Sequence, residues 1–353
     1  MTPVPLELPL RPSEAAELAN LIFDHAERKP LTDELRNRLA SRAAALKLET
    51  IRPWFGSLER DPVHPGAYYL AVDGIAGAPH LLYMAPATAP TSSIFHKPLL
   101  IGRMRRANGP ELVINATPFG PQDRRNIDRF VSKIDAAFLP RAMGARAEIA
   151  VEEDAPAAFE MFRSVYKRSG KNVAALAGEY HAGVWAAIRA GWRLGYAAIA
   201  DVPAGSSAES IRPLAAFTRF AVDVSGLEAF EPALKAAEQV HERVRQTRAS
   251  LKLTGAFEFE VGLPEAGAAD LEYCLEWLKR RGHAAQFAAP VRIAGDRAEA
   301  AAVVRQQQAA LSMRYRGEDS AAIREAARAS LGRISVRVRR VQEAELALED
   351  LFA

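Results

Sequence analysis

Acidic side chains near the end of one predicted strand are the residues of this chain best suited to carry chemistry. The stretch from Phe257 to Val261 alternates apolar residues with Glu258 and Glu260, and Glu265 follows shortly after it. A period of two along the chain predicts a β-strand, and Glu260 falls near the end of that strand. Carboxylates placed in this way could act as general acid and base or hold a divalent cation.

The segments after this strand indicate how it is built into the fold. Glycine and proline residues break the strand pattern, and then Leu271, Leu275 and Leu278 recur at helical spacing. Gly282 is the expected helix stop, and Gln286–Pro290 is the next apolar run. A helix that connects two such strands favours parallel pairing in an α/β domain.

The alternation of strand and helix patterns recurs eight times from residue 147 onward. The predicted strands are Ala147–Val151, Asn172–Leu176, Gly195–Asp201, Phe217–Val224, Phe257–Val261, Ala285–Pro290, Ala310–Arg314 and Arg333–Val338. Eight strand–helix units in about 200 residues predict an α/β fold of the closed (β/α)8 type, a TIM-like barrel. An open doubly wound sheet is the alternative, although no G-x-G-x-x-G motif follows the first strand.

The N-terminal part of the chain has a different organisation. Residues 1–50 contain two helical patterns separated by Pro30, which predict a helical hairpin. Residues 51–146 combine short strand patterns with one helix, predicted from Arg124 to Phe138, and indicate a mixed α+β region. The barrel is then expected to occupy residues 147–353.

In a barrel of this kind the functional site lies where the carboxyl ends of the strands meet. The candidate catalytic residues at these ends are Asp201, Glu260 and Glu265. Arginines at the ends of the later strands could clamp a substrate carboxylate or phosphate. The candidate substrate-binding residues are Arg292, Arg314, Arg316 and Arg337. The same side chains could instead form ion pairs that order the loops.

Composition narrows the class of protein. The chain has 46 basic and 43 acidic residues, and no basic stretch carries the aromatic residues of a nucleic-acid motif, so we expect no nucleic-acid partner. No apolar run approaches the roughly 20 residues of a membrane span, and no signal-peptide pattern is present. Cys274 is the single cysteine, which excludes an intrachain disulfide and favours a cytoplasmic location. Its place on an apolar helix face predicts a buried thiol, and the sequence leaves open whether the protein is a homo-oligomer.

Several segments resemble the tagaturonate/fructuronate epimerase family. They are YHAGVWAAIRAGW at Tyr180–Trp192, FTRFAVD at Phe217–Asp223 and FEFEV at Phe257–Val261, in a similar order and spacing. The segment His96–Phe130 is similar to longer bacterial members. The resemblance implies a divergent member of this family, with a barrel fold and a small anionic sugar or sugar acid as its ligand. It also implies metal-dependent epimerisation of a hexuronate at C4, by proton transfer or by retro-aldol cleavage and re-addition.

The chain departs from the family pattern at positions that carry functional residues. The family's Ala-Asp-Ala-Asp-His corresponds to Ala198–Val202, which keeps Asp201 but lacks the other aspartate and the histidine. Its Ser-Val-Asp-Glu-Thr corresponds to Gly262–Ala266, which keeps only Glu265 of the two carboxylates, and a further family histidine corresponds to Arg314. Because losing imidazoles and gaining a fixed positive charge disfavours cation binding, we assign no metal ligand and leave the cofactor open.

These departures leave three interpretations. The chain could be a sugar-acid epimerase or isomerase that uses its remaining carboxylates. It could be a catalytically inactive relative that binds an anionic sugar or a protein partner. It could also be a different, metal-free enzyme that uses its arginines for a carboxylated or phosphorylated substrate.

Overall fold

A computed structural model describes most of the chain. The described residues are 10–27, 29–89, 94–106, 109–224, 226–227, 230–263, 268–280, 290–292, 302–303, 306, 309–315 and 320–352. Contacts between residues divide the chain into two compact units, Met1–Leu139 with Val184–Arg193, and Pro140–Gly183 with Leu194–Ala353. In the part of the chain that is described, no helix combines the length and apolar character needed to cross a bilayer.

The first unit packs two helices against a six-stranded sheet. Its helices are α1 (Pro12–Ala26) and α2 (Asp33–Ala43). Its strands are β1 (Arg52–Pro53), β2 (Glu59–Arg60), β3 (Tyr68–Asp73), β4 (Pro79–Pro86), β5 (Leu99–Met104) and β6 (Leu112–Pro118). They pair antiparallel in the order β1-β3-β4-β6-β5, with β2 beside β3. Apolar side chains from both helices and the sheet, such as Ile22, Leu39 and Leu70, form one buried core. The predicted hairpin and mixed region therefore share a core.

A third helix, α3 (Arg124–Lys133), follows the sheet. It ends before the predicted limit at Phe138, and a short 3-10 turn occupies Ala136–Phe138. The reason is Asp135, which has an extended backbone and whose side chain accepts a hydrogen bond from the Ala137 backbone N–H. An aspartate that caps a new turn in this way competes with continuation of the helix.

Residues 184–193 belong to the first unit although they lie far along the chain. The ring of Trp185 meets that of Trp54 edge-on, with 5.4 Å between centroids. The Arg189 guanidinium lies over both rings, at 5.2 Å and 5.5 Å. The backbones of Gly56 and Gly191 then touch, because a Cβ atom on Gly191 would lie 2.5 Å from the Gly56 Cα. Aromatic packing and a close glycine contact thus hold this segment in the unit.

The second unit contains a parallel sheet that curls round on itself. Its strands are β7 (Glu148–Val151), β8 (Ala174–Leu176), β9 (Ala197–Pro203), β10 (Arg219–Asp223), β11 (Glu258–Gly262), β12 (Pro290–Arg292), β13 (Ala310–Arg314) and β14 (Ile334–Val338). Neighbours in this order pair in parallel, and β14 pairs with β7, so the ladder of described strands closes. The predicted mixed α/β organisation is confirmed. The sixth strand lies at Pro290–Arg292, and the predicted residues 285–289 lie outside the described residues.

Helices alternate with these strands. They are α4 (Ala155–Ser169), α5 (Tyr180–Ala190), α6 (Ala208–Ile211), α7 (Phe230–Ser250), α8 (Ala268–Arg280), α9 (Ser320–Ala329) and α10 (Val341–Phe352). The connection between β12 and β13 lies mostly outside the described residues. Cys274 on α8 is buried, as predicted, and burial raises the pKa of its thiol to about 12.

Candidate functional site

The strand register places Asp201 and Glu260 on the inner face of the curled sheet. Both residues pair with Ala221 of β10, Asp201 from β9 on one side and Glu260 from β11 on the other. In-register neighbours in a sheet project from the same face. Ala221 packs with Ala150, Ala175, Ala197 and Ile199 in one buried cluster drawn from four strands of the barrel. These small residues leave room for longer polar side chains on the other strands.

Two predicted arginines lie on the same face. Arg337 of β14 pairs with Arg314 of β13 and with Ala150 of β7. Arg337 is 2% exposed, whereas Arg314 is the last residue of its strand and is exposed. The register therefore brings four of the seven predicted residues to one face near the carboxyl ends of the strands.

Arg337 is bound by Asp201. Its Nη1 donates a hydrogen bond to Asp201 Oδ1 at 2.6 Å. Its Nη2 is buried and has no hydrogen-bond partner among the described residues. Burial alone would lower the pKa of Arg337, but the carboxylates of Glu260, Asp201 and Glu152 raise it above its usual value. Arg337 is thus a fixed buried cation with unused hydrogen-bonding capacity.

Glu260 is a fully buried carboxylate inside the barrel. It acts electrostatically on two cations, because its charge contributes to the raised pKa values of both Arg337 and Arg219. A buried carboxylate needs such compensation, since burying an unpaired charge is costly. Held inside a barrel near the strand ends, a group of this kind can exchange a proton with a ligand in a water-poor environment.

The more exposed side chains near the strand ends form ion pairs. Arg314 Nη2 donates to Glu152 Oε1 at 3.1 Å. Arg339 Nε donates to Glu153 Oε1 at 2.7 Å. Exposed ion pairs of this kind contribute little to stability. Arg314 therefore has a partner on the protein itself, as the ion-pair alternative in the sequence predicts.

The remaining predicted residues are only partly described. Glu265 and Arg316 lie outside the described residues. The backbone of Arg292 is described and pairs with Gly262 on one side and Ser312 on the other. The role of Arg292 remains a prediction.

A second charged cluster, the lower cluster, lies near the amino ends of the strands and consists of Glu148, Arg219, Glu258 and Ser335. Arg219 donates from Nη2 to Glu148 Oε2 at 3.1 Å and from Nε to Glu258 Oε2 at 2.6 Å. Ser335 Oγ donates to Glu148 Oε1 at 2.6 Å, and the Met143 backbone N–H donates to Glu258 Oε1 at 2.6 Å. All four members are buried. The cluster lies at the end of the strands opposite the candidate site.

The electrostatics of the lower cluster follow from its hydrogen bonds. Burial would raise the pKa of Glu148, but Arg219 and Ser335 outweigh this effect and hold it below its usual value. For Glu258, burial prevails over the attraction of Arg219 and raises the pKa. Sequence reasoning missed Arg219 and Glu148. The sequence did contain a signal for Arg219: it is a charged residue within an otherwise apolar strand, two residues before Ala221, so both side chains point into the barrel.

The described residues do not fit the divalent metal that the resemblance implies. Among them, no group of three histidine, cysteine, aspartate or glutamate side chains could hold a metal ion. Asp201 is bound to Arg337, and Glu260 is electrostatically coupled to the same guanidinium. A cation held by these two carboxylates would face a fixed positive charge, which opposes its binding. We therefore derive no chemical step through a metal.

Solved structures of known proteins resemble this chain in fold. No family model and no curated protein matches the chain. A glycerol complex of fructuronate-tagaturonate epimerase UxaE from Cohnella laeviribosi matches with a TM-score of 0.54 and 13% identity, over 87% of this chain and 74% of that chain. The native structure of that enzyme matches with a TM-score of 0.52 and 13% identity, over 86% and 75% of the two chains. At this identity the match establishes the fold, which this chain shares with a sugar-acid epimerase.

Proposed function

We propose that this chain is a sugar-acid epimerase-like protein on a barrel of the (β/α)8 type, with a hexuronate as its ligand. The observation that carries the proposal is the buried Glu260 together with the buried Arg337, whose partner Asp201 is exposed, on the inner face of the barrel near the strand ends. A guanidinium suits a sugar carboxylate, and two nearby carboxylates suit proton transfer. The fold shared with fructuronate-tagaturonate epimerase supports the same kind of ligand.

The proposed roles follow from burial and charge. Arg337 holds the carboxylate of the sugar, and Glu260 and Asp201 take and return protons. In the retro-aldol route, a carboxylate removes the C4 hydroxyl proton, the C3–C4 bond breaks and its electron pair stays on C3 beside the ketone. Re-addition of C3 to the other face of the new aldehyde, with return of the proton to the oxygen, gives the C4 epimer. Glu265, Arg292, Arg314 and Arg316 are retained as further candidate residues of this site.

The test of this proposal is turnover without added metal. The protein is incubated with fructuronate or tagaturonate in the presence of a chelator, and interconversion is followed by NMR. We expect turnover, and a decrease of about 10²–10⁴-fold in Glu260→Gln, because a general acid–base group contributes on this order. Glu153→Gln is the matched control, since Glu153 is an exposed carboxylate paired with Arg339, and its turnover should equal that of the wild type. Turnover that is absent in the wild type, or unchanged in Glu260→Gln, would refute the proposed catalysis.

A second candidate function is sugar-acid binding without catalysis. It is favoured by the carboxylate partners that Arg314 and Arg337 already have, which leave Asp201 held in an ion pair rather than poised for proton transfer. Under this alternative, NMR shows hexuronate binding to the wild type but no interconversion. Absence of both binding and turnover would contradict both candidates.

A further inference from the structure

The ion pair between Arg337 and Asp201 is strongly asymmetric in burial. The side chain of Arg337 is 2% exposed, and that of Asp201 is 58% exposed. Asp201 can therefore rotate into solvent with little loss of packing, whereas the guanidinium is fixed. Of the two partners, only the carboxylate is free to leave.

If Asp201 leaves, other carboxylates still balance the positive charge of Arg337. The fully buried Glu260 also acts electrostatically on Arg337, as does Glu152. If a ligand carboxylate takes the place of Asp201, the number of negative charges around the guanidinium stays the same. The exchange therefore avoids the large penalty of leaving a buried charge unpaired.

The guanidinium also offers a ligand something that Asp201 does not use. Asp201 accepts from Nη1, and Nη2 has no hydrogen-bond partner among the described residues. Arginine binds a carboxylate best with two parallel N–H···O bonds. A free carboxylate that enters can adjust to this fork, whereas the carboxylate of Asp201 is restrained by its own backbone.

We propose that Asp201 occupies, in the ligand-free protein, the position on Arg337 that the carboxylate of a sugar acid takes, and that ligand binding displaces Asp201 from Arg337. This inference rests on the proposed function and deepens it, because it assigns the ligand carboxylate to one guanidinium. It also gives a reason for selectivity. A carboxylated sugar releases Asp201 for proton transfer, whereas a neutral sugar leaves Asp201 bound to Arg337.

The experiment compares dissociation constants of three probes, which are glucuronate, acetate and glucose, measured by ligand-observed NMR on the full chain. The proteins are the wild type, Asp201→Asn and the control Glu153→Gln. Because Asp201→Asn removes the internal competitor, it should bind glucuronate and acetate about tenfold more tightly, a change of one unit in the logarithm of affinity. Glucose binding should not change, and Glu153→Gln should behave as the wild type.

The outcomes separate this inference from the proposed function. If glucuronate binds the wild type and binds Asp201→Asn no more tightly, the proposed displacement of Asp201 is refuted and the sugar-acid function stands. If glucuronate binds no better than acetate in every protein, the sugar-acid function fails. The displacement of Asp201 is then tested by whether acetate binds Asp201→Asn more tightly than it binds the wild type. If no carboxylate binds Asp201→Asn, the exchange is refuted. Asp201→Ser provides a second test should the amide variant fold poorly, and Arg337→Lys should lose affinity for both carboxylates because an ammonium cannot form the two-bond fork.

Discussion

Arg219 and Glu148 form a direct ion pair, with Arg219 Nη2 3.1 Å from Glu148 Oε2, although β7 and β10 are separated by β8 and β9 in the sheet. The two strands are not hydrogen-bonded neighbours, so the side chains meet across the interior only because the sheet is curled. The pair is also completely buried, with each side chain 1% exposed. The two buried charges can therefore neutralise each other only when the sheet has curled into the barrel.

We predict that Arg219→Met strongly destabilises the protein. The change leaves Glu148 and Glu258 buried without their shared cation, and loss of one partner of a buried ion pair costs about 3–5 kcal/mol. Urea unfolding measures the loss. The matched control is Arg245→Met, which removes an exposed arginine paired with Glu242 and should change the free energy of unfolding far less, because exposed ion pairs contribute little to stability. Equal effects of the two variants would contradict a cross-barrel role for Arg219.

A second prediction concerns the glycine contact in the first unit. Gly191 has a φ of +64° and touches Gly56, whereas Gly77 has a φ of +75° and nothing within 4 Å of an added Cβ. Alanine at either position suffers the strain of the left-handed conformation, about 1–2 kcal/mol. Gly191→Ala must also move the Gly56 backbone, which adds about 1–3 kcal/mol of overpacking. Thermal unfolding should therefore show a clearly lower Tm for Gly191→Ala than for Gly77→Ala, and a reversed order would refute the contact.

A third prediction concerns the acid stability of the first unit. Glu14 Oε2 accepts hydrogen bonds from the backbone N–H groups of Thr50 at 2.9 Å and Ile51 at 3.0 Å. Burial would raise the pKa of Glu14, but these hydrogen bonds lower it overall. A lowered folded-state pKa contributes stability that is present above the unfolded value of about 4.3 and is lost as the pH falls through the folded value.

Glu14→Gln should therefore be less stable than the wild type at neutral pH and should lose less of its stability on acidification. Urea unfolding at a series of pH values from neutral to strongly acidic measures both effects. Glu17→Gln is the control, because Glu17 is an exposed residue on the same helix. If Glu14→Gln and the wild type lose stability in parallel, the hydrogen bonds do not hold the Glu14 carboxylate in its ionised form.

A fourth prediction concerns the single thiol. Cys274 is buried and the pKa of its thiol is raised to about 12, so almost no reactive thiolate exists near neutral pH. Iodoacetamide should leave the native protein unmodified and should alkylate it fully in concentrated urea, as measured by mass spectrometry. Rapid alkylation of the native protein would show that α8 opens readily.

The local patterns of the sequence were sufficient for much of the fold. Alternating apolar residues predicted strands such as Arg333–Val338, and the structure has this strand at Ile334–Val338. Each strand or helix buries one face, and this burial sets the spacing of its apolar residues. That spacing can therefore be read from the sequence without knowledge of distant contacts. The predicted end of α3 at Phe138 was wrong, because the true end depends on the side chain of one residue. Asp135 interrupts an otherwise helical pattern.

The candidate site was less predictable than the strands. The rule that sites lie at strand ends predicts Asp201, Glu260 and Arg337 as candidates, and the register brings them to one face. The sequence could not supply their partners, because the Arg337–Asp201 contact joins residues 136 positions apart. The pairing of Glu148 with Arg219 was missed for the same reason, since it requires closure of the sheet before the two side chains can meet.

The placement of residues 184–193 in the first unit has a consequence for synthesis of the chain. As the chain leaves the ribosome, residues up to Leu139 emerge first, but the segment that carries Trp185 and Gly191 is still missing. By the time Arg193 emerges, the first two barrel strands have also been made. The N-terminal unit therefore cannot complete its packing until the first two barrel strands have also left the ribosome.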